Sequence, residues 1–472
     1  MTSDAHPTSE PVLDSVGEPK KSSSVRVAFV AGVGTSLEFY DFAIYGTAAA
    51  LVFGEIFFQT GDAWFGTFVS LATFALGFLM APVGAVLFGW LGDRRGRRVA
   101  LLGSFFVMGI STVLMGLLPT YAAIGITAPF LLVFLRLFHG AARGGENQSA
   151  AVFAVEHAPE RRRGLFGSFV AIGSPIGAIM ANGIFALVLL LPDEAVMSWG
   201  WRIPFLLGGV VLVIGLWARL GVDETPAFRE MKEQKEAAES KATESDTAET
   251  LGSEPLAAAP LAAAVRTNWR RIALLAGVNV GLNASTFTLA TFMLSFASAA
   301  APQGLGLPRG PVLLGTLVGL AGHAMFNILA AMASDRWGRR PVMFVGAVLS
   351  LISALSIFHI AAAGTVASLN VAVIIGLCST GVLFGPLYTF FTELFPTSQR
   401  TTGVGIGYHV GAVLGGGIAP LVANRIIATT GEPLNVGYYL AALLVVTILC
   451  LLVLPETAPV RVRRQNVQHA PT

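Results

Sequence analysis

Two carboxylates lie inside the first long apolar segment of the sequence, residues 26–53. Glu38 and Asp41 are three residues apart, so on a helix they share one face. An ionisable group in hydrocarbon costs at least about 2.5–3.5 kcal/mol on insertion scales, so it requires a functional reason or a partner. These two residues are therefore the first candidates for chemistry inside a membrane.

A matching stripe of ionisable side chains lies in the fourth apolar segment, residues 128–154. Arg136, His139, Arg143 and Glu146 follow one another at spacings of three, four and three, which places all four on one helix face. Because arginine sets the pKa of a nearby carboxylate, a carboxylate pair facing this stripe can carry a proton, and substrate and proton can compete or cooperate there. The alternative is structural ion pairing in which no group changes protonation.

Other polar side chains inside apolar segments are weaker candidates. A histidine can shuttle protons near neutral pH, but a lone one in a span is as often a packing group. Asparagine and tyrosine can hydrogen-bond a substrate or join helices, and we favour helix joining. The set comprises His139, His323, His409, Asn279, Asn283, Asn327 and Tyr408. The sequence contains no phosphate-binding loop, metal-ligand cluster or nucleophile–base arrangement, so we expect no cofactor, no metal site and no enzyme activity.

The composition predicts a membrane protein. Of the 472 residues, 54% are hydrophobic and 12% are charged, about half of the roughly 25% charged residues usual in soluble domains. Twelve membrane-crossing helices need about 20 apolar residues each, or about 240 in all, and the chain has enough. This composition excludes an ordinary soluble enzyme, a disordered scaffold and a nucleic-acid-binding protein.

We predict twelve membrane-spanning helices, numbered spans 1 to 12 in chain order. They cover 26–53, 67–91, 99–118, 128–154, 164–191, 201–220, 269–299, 311–333, 341–363, 367–393, 403–429 and 434–454. The fold class is therefore all-α and polytopic. The chain divides into an N-terminal tail, a six-helix half, a polar and largely flexible linker, a second six-helix half and a C-terminal tail, at 1–24, 25–220, 221–268, 269–454 and 455–472.

Most arginines of the short loops lie on one side of this topology. The positive-inside rule makes that side cytoplasmic, with both termini and the linker inside the cell. We call it the arginine-rich side. All seven tryptophans lie near predicted span ends, which predicts an interfacial belt.

The two halves repeat a loop motif. Residues 93–98 after span 2 read DRRGRR and residues 335–340 after span 8 read DRWGRR, a match at five of six positions. Parallel six-span repeats are typical of transporters built from two pseudo-symmetric halves. We place Asp93 at the start of span 3, where the helix dipole favours an anion, and predict that the motif latches a cytoplasmic gate; a plain topology signal is the alternative. The gate residues are Asp93, Arg94, Gly96, Arg97, Asp335, Arg336, Gly338 and Arg339.

These motifs resemble the major facilitator superfamily, whose loop 2–3 signature is similar to GWLGDRRGRR at 89–98. Further segments resemble its metabolite:H⁺ symporter subfamily. They are GTSLEFYDF at 34–42, RLFHG at 136–140, GGE at 144–146, WGWRIPF at 199–205, ETPAF at 224–228 and ELFP at 393–396. The resemblance covers about residues 26–457. It implies twelve helices in two halves, with spans 1 and 4 bordering a central cavity.

The resemblance implies a secondary transporter of the cell inner (cytoplasmic) membrane that works by alternating access. We favour proton-coupled symport of a small organic acid, because the arginines of span 4 suit a carboxylate-bearing solute. The candidate proton-coupling and substrate-binding residues are Glu38, Asp41, Arg136, Arg143 and Glu146. Protons, a small-molecule substrate and the lipid bilayer are the expected partners, with no nucleic acid, and we expect a monomer.

Two alternatives within transport stay open. One is a proline/betaine-type osmolyte symporter, although the 18 residues after Leu454 contain no heptads of the kind found in osmosensing members. The other is a proton-driven efflux antiporter, since GSPIG at 173–177 faintly resembles an antiporter motif. Arg143 and Asn147 depart from the residues usual beside the GGE motif, so an unusual pocket is expected. A sensor or an intramembrane enzyme would need a signalling domain or a nucleophile or metal constellation.

Overall fold

The computed structural model describes residues 24–59, 61–95, 97–144, 155, 158–159, 162–220, 258–396 and 400–459. Within these ranges the chain is built from helices and contains no β-strand. Except at their ends, helices satisfy their backbone hydrogen bonds internally, which is what an apolar surrounding requires. The predicted all-α fold is confirmed.

Every predicted span corresponds to a helix or to consecutive helices. Spans 1 to 4 are Ser24–Leu51, Ala63–Arg95, Arg97–Leu117 and Thr127–Gly144. Span 5 is Arg163–Ala171 with Gly173–Val188, and span 6 is Arg202–Leu220. Span 7 is Ala258–Phe287, Thr288–Phe292 and Met293–Ser298, and spans 8 and 9 are Arg309–Trp337 and Arg339–Ala361. Spans 10 to 12 are Val366–Phe384 with Leu387–Glu393, Arg400–Ala412 with Val413–Gly417 and Ile418–Thr430, and Leu434–Val453.

In the described part of the chain, nine helices are long and apolar enough to cross a membrane, and the pair Asp193–Gly200 and Arg202–Trp217, bent by 43°, adds a tenth. Spans 1 and 4 carry the intramembrane carboxylates and arginines.

Several boundaries differ from the prediction. Span 7 begins at Ala258 rather than at 269, so the last part of the predicted linker is helical, while 221–257 lie outside the described residues. The predicted end of span 4, residues 145–154, also lies outside them. Span 5 is interrupted at Ile172, the residue directly before the segment GSPIG at 173–177.

The interfacial tryptophan belt is only partly correct. Five tryptophans are exposed, but Trp64 is buried and Trp201 has no exposed surface. Trp201 packs edge-on against Phe53 and Phe57, with ring centroids 5.8 and 5.5 Å apart. Such an aromatic cluster removes the indole from the membrane interface, so Trp201 is a core residue.

Helix packing follows the same scheme in both halves. Spans 1 and 5, 2 and 4, 3 and 4, and 3 and 6 pack against each other, and so do spans 7 and 11, 8 and 10, 9 and 10, and 9 and 12. Adding six to both span numbers of each pair in the first half gives the corresponding pair in the second half. The halves meet where span 1 faces span 7, span 2 faces span 11 and span 5 faces span 8. The loop repeat therefore reflects a repeat of the whole six-helix unit.

Glycines four residues apart bring the paired helices into backbone contact. A Cβ at Gly140 would lie 2.6 Å from the Gly77 carbonyl oxygen, and one at Gly144 would overlap the Ala81 carbonyl oxygen. In the second half, a Cβ at Gly381 would lie 2.5 Å from the carbonyl oxygen of His323. Without a hydrophobic driving force between helices in lipid, such close approach supplies the packing energy.

Candidate functional site

A cavity with about 50 Å³ of space open to the centres of water-sized molecules lies between the two halves. Its described lining comes from spans 1, 2 and 5 of the first half and spans 7, 8, 10 and 11 of the second. The rings that line it are Phe39, Phe42, Phe74, Phe287, Phe384 and Tyr408. The polar groups are Thr47, Ser174, Asn182, Asn283, Thr286, Thr291 and His323. The lining therefore suits a molecule with an apolar body and a few hydrogen-bonding groups.

The two intramembrane arginines lie behind the aromatic wall of this cavity. The Arg136 guanidinium carbon is 4.8 Å from the Phe42 ring centroid and 3.9 Å from that of Tyr45. The Arg143 guanidinium carbon is 4.0 Å from the same Phe42 ring. Because Phe42 also lines the cavity, a single ring separates the cavity from both cations, which are held by cation–π contacts.

One of the predicted ion pairs forms. Arg143 Nε donates to Glu38 Oε1 at 2.9 Å, and both side chains are at most 2% exposed. The pair is within electrostatic range of the Tyr388 and Tyr408 hydroxyls of the other half. Spans 1 and 4 of the first half thus place a buried ion pair next to the interface between the halves.

Arg136 and Asp41 face different neighbours. Arg136 donates to the Phe74 carbonyl oxygen at 3.2 Å and contacts His139 Nδ1 at 3.2 Å. Asp41 is 3% exposed, and a Cβ at Gly208 of span 6 would lie 3.3 Å from its Oδ1 and 2.9 Å from Thr112 of span 3. Asp41 therefore faces spans 3 and 6, whereas Arg136 contacts spans 1 and 2. Glu146 lies outside the described residues.

On the arginine-rich side, the second copy of the motif connects the halves. The Asp335 carboxylate accepts hydrogen bonds from the backbone N–H of Gly164 at 2.9 Å and of Leu165 at 3.1 Å. These N–H groups belong to the first turn of the span 5 helix and have no partner within the helix. A carboxylate there pairs with them and is stabilised by the positive end of the helix dipole. Arg339 donates to Asp335 at 2.6 Å and to Glu393 at 3.4 Å. Thr389 adds a further contact, donating to the Arg163 carbonyl oxygen at 3.1 Å.

The remaining motif positions have different surroundings. Arg94 lies over the Trp90 ring at 4.5 Å, and Arg336 is exposed. Gly338 ends span 8 with φ 101° and ψ 153°, a conformation that is essentially restricted to glycine. Gly96 and the side chains of Asp93 and Arg97 lie outside what the structure describes.

The expected position of Asp93 at the start of span 3 is wrong. Asp93 belongs to the last turns of the span 2 helix, which ends at Arg95, and span 3 begins at Arg97. Asp335 has the equivalent place near the end of span 8. The acid of the motif thus lies near the C-terminal end of its own helix, and in the second copy it caps a helix of the other half.

The opposite side of the cavity is closed by a different contact. Arg309, at the start of span 8, donates to Glu55 Oε1 at 2.7 Å. Glu55 lies in the short helix Phe53–Ile56 after span 1. In the described part of the chain, the halves thus contact each other on both sides of the cavity.

The sequence analysis missed several of these residues. Thr47 and Asn182 line the cavity and are hydrogen-bonded to each other, and Glu55 and Arg309 form the second closure. Asn182 is an amide inside an apolar run, a signal that the sequence contained. Asn279 joins helices as expected, since it donates to the Tyr408 carbonyl oxygen at 2.8 Å.

Two pseudo-symmetric six-helix halves around a central cavity are the architecture of the major facilitator class of transporters. The sequence profile of the family described as "Sugar (and other) transporter" matches residues 27–468. The chain belongs to this family and is a multi-pass membrane transporter, not an enzyme.

Named relatives agree with this assignment. The chain is 38% identical to the inner membrane metabolite transport protein YhjE of Escherichia coli strain K12, over 92% of this chain and 95% of that protein. It is 34% identical to the shikimate transporter of the same strain, over 89% of this chain and 92% of that protein. The solved structure of the proton:xylose symporter XylE bound to 6-bromo-6-deoxy-D-glucose has a TM-score of 0.69 at 18% identity, covering 92% of this chain and 96% of that one.

Proposed function

We propose that the protein is a proton-coupled symporter that carries a small organic acid across the cytoplasmic membrane. The observation that carries this proposal is the placement of Arg136 and the Arg143–Glu38 pair against the Phe42 wall of the cavity, with Asp41 buried in the same half. Burying four ionised groups in a membrane bundle is expensive, and such groups commonly mark ion and substrate pathways. A positive charge behind a single ring favours an anionic substrate, and a carboxylate beside it can carry the proton.

Rocking of the halves would change the surroundings of these groups. The two closures, Asp335 with span 5 and Arg309 with Glu55, lie on opposite sides of the cavity, so opening one at a time gives alternating access. The arginine distribution makes the Asp335 side cytoplasmic. A reporter fused after Thr472 should then be active only in the cytoplasm, and activity outside the membrane would overturn this orientation.

Uptake into proteoliposomes tests the substrate class. We expect at least one organic acid from a panel of about twenty acids and osmolytes to accumulate when the outside is acidic, and to accumulate less without the pH gradient. Accumulation that is independent of the proton gradient would contradict symport. Uptake driven only by an inverted gradient would indicate an antiporter.

Asp41 is the residue that we propose carries the proton. Asp41→Asn keeps the side-chain volume but cannot bind or release a proton at this position. We expect gradient-driven accumulation to vanish while exchange of labelled for unlabelled substrate survives, because exchange needs no net proton movement. Asp193→Asn, an exposed acid next to span 6, is the matched control and should behave as the wild type.

Two results would count against Asp41. If accumulation and exchange fall together in folded protein, its role is structural. If Asp41→Asn still accumulates substrate against a gradient, Asp41 is not the proton carrier and Glu38 or Glu146 becomes the next candidate.

A second candidate substrate is a zwitterionic osmolyte of the betaine type. The aromatic rings that line the cavity favour it, because such rings can surround a quaternary ammonium group. The same uptake panel separates the two: preferential accumulation of glycine betaine over every organic acid would select the osmolyte.

A further inference from the structure

We propose that His323 is the residue that binds the substrate carboxylate, that it does so as an imidazolium, and that the substrate is accordingly a monocarboxylate. This inference rests on the proposed organic-acid function and adds the residue and the charge class of the substrate. It concerns span 8 of the second half, whereas the charges discussed above belong to the first half.

His323 lies in the wall of the cavity at the middle of its span. It is 2% exposed to the outside, and it lines the cavity together with Phe384, whose ring centroid is 5.6 Å from the imidazole. It follows Arg309, the first residue of span 8, by fourteen residues, or about 21 Å at 1.5 Å per residue. Substrate sites of two-half transporters lie at this depth, near the midplane between the repeats.

Hydrogen bonds to span 10 determine which ring nitrogen is free to react. Nδ1 lies 3.1 Å from the Leu377 carbonyl oxygen and 3.1 Å from Thr380 Oγ1. A carbonyl oxygen can only accept, and the Thr380 hydroxyl donates its own proton to the same carbonyl at 2.9 Å, so Nδ1 carries hydrogen. The neutral ring is therefore unprotonated at Nε2, which forms no hydrogen bond to another residue in the described part of the chain.

The other buried histidines differ in this respect. Nε2 of His139 and of His409 is enclosed by protein atoms without a partner, and neither residue lines the cavity. Among the described residues that line the cavity, His323 is the only one whose side chain can become a cation. The arginines behind Phe42 do not reach the cavity surface.

The proton balance is simple. A proton from the outside solution binds Nε2, and the resulting imidazolium N–H donates to the carboxylate of the entering substrate, so the pair adds no net charge to the cavity. On release to the other side, the carboxylate leaves. One cationic group compensates one carboxylate, which is why the site favours a monocarboxylate over a dicarboxylate. If Asp41→Asn abolishes gradient-driven accumulation, the His323 ring keeps its proton while the empty protein returns; if accumulation survives, the His323 proton leaves with the carboxylate and is the coupled proton.

Few other titratable groups face His323. On span 10, the Cys378 sulfur packs against Gly322 and Tyr388 lies beyond Phe384, with ring centroids 5.8 Å apart. On span 11, Tyr408 lines the same cavity. The Glu38–Arg143 ion pair, which carries no net charge, interacts with these two tyrosines. None of these is an anion that could replace the substrate carboxylate as partner of the imidazolium.

Ligand-induced thermal stabilisation of the purified full-length protein tests the inference. The probes are shikimate, benzoate and lactate as monocarboxylates, succinate and 2-oxoglutarate as dicarboxylates, and glycine betaine, each at pH 8, 7 and 6. We expect a monocarboxylate to stabilise the protein most, with an affinity that rises as the pH falls. In His323→Gln, which cannot become cationic, that affinity should fall about tenfold to hundredfold and lose its pH dependence.

His409→Gln is the matched control, because His409 is equally buried but outside the cavity, and it should retain both affinity and pH dependence. The side-chain amide of His323→Asn can still donate to the Leu377 carbonyl oxygen as Nδ1 does. If this variant melts at the wild-type temperature without ligand, its loss of affinity reflects lost binding and not a folding defect. Binding of a monocarboxylate that is unaffected in His323→Gln would overturn the inference and leave the organic-acid function intact. A dicarboxylate as the best ligand would also overturn it. If glycine betaine alone binds, or no acid does, the organic-acid function itself is refuted.

Discussion

Loss of the Asp335 charge should open the gate on the arginine-rich side. The Asp335 carboxylate holds two backbone N–H groups of span 5 and the Arg339 guanidinium, at 2.9, 3.1 and 2.6 Å. Asp335→Asn preserves the side-chain shape but replaces one accepting oxygen by an amide that donates, and it removes the anion from the helix N-terminus. The side chains of Asp335 and Arg339 are 10% and 1% exposed, so solvent screens the contact little.

The size of the effect follows from these contacts. A hydrogen bond to a charged group contributes about 1.5–3 kcal/mol, and a partly buried charge at a helix end contributes up to about 2 kcal/mol. Because the amide keeps one acceptor, we expect the closed gate to lose about 2–3 kcal/mol, equivalent to about 30- to 150-fold in the ratio of closed to open molecules.

Distances between spin labels on the two halves measure this shift. Labels at Arg95 and Trp337, both exposed on the arginine-rich side, should report a longer-distance population in Asp335→Asn, with Cys378 and Cys450 replaced by serine in all samples. Glu432→Gln removes an exposed acid from an opposite-side loop and should leave the distribution unchanged. An unchanged distribution in folded Asp335→Asn would show that the motif is a topology signal and not a latch.

The closure on the other side should be weaker. Arg309 and Glu55 are 26% and 54% exposed, and exposed ion pairs contribute about 0–1 kcal/mol. Arg309→Gln should therefore change the initial uptake rate less than about fivefold. A larger loss would show that this contact, too, controls the gate. Gly381→Ala should lower the melting temperature, because the added Cβ would lie 2.5 Å from the His323 carbonyl oxygen. Gly183→Ala should not, because a Cβ at that position would have no neighbour within 4 Å. Equal melting temperatures for the two variants would mean that spans 8 and 10 move apart at no cost.

The number and order of the spans could be predicted from the sequence. A long apolar run has few stable structures in a membrane other than a helix, because every backbone group must find its partner within the segment. The loop repeat likewise predicted two related halves, and the packing of spans 2 and 4 and of spans 8 and 10 shows the same relation.

The sequence also identified which residues are costly to bury, but not all of their partners. Helical spacing places Glu38 and Asp41 on one face, yet the rotation and crossing of neighbouring helices decide what that face meets. Glu38 meets Arg143, whereas Asp41 meets the small residues of spans 3 and 6, where Gly208 leaves room for its carboxylate.

Only the tertiary structure decided what forms the cavity. Its lining is drawn from seven spans, often one or two turns from each, and Phe42 rather than an arginine forms the wall. Likewise, the motif acid Asp335 caps span 5 across the interface as well as pairing with Arg339 of its own motif. The sequence determined that helices form and which residues resist burial, because both depend on short-range properties of the chain. Which side chains meet depends on how twelve rigid helices are rotated and packed, and that arrangement is a property of the whole bundle.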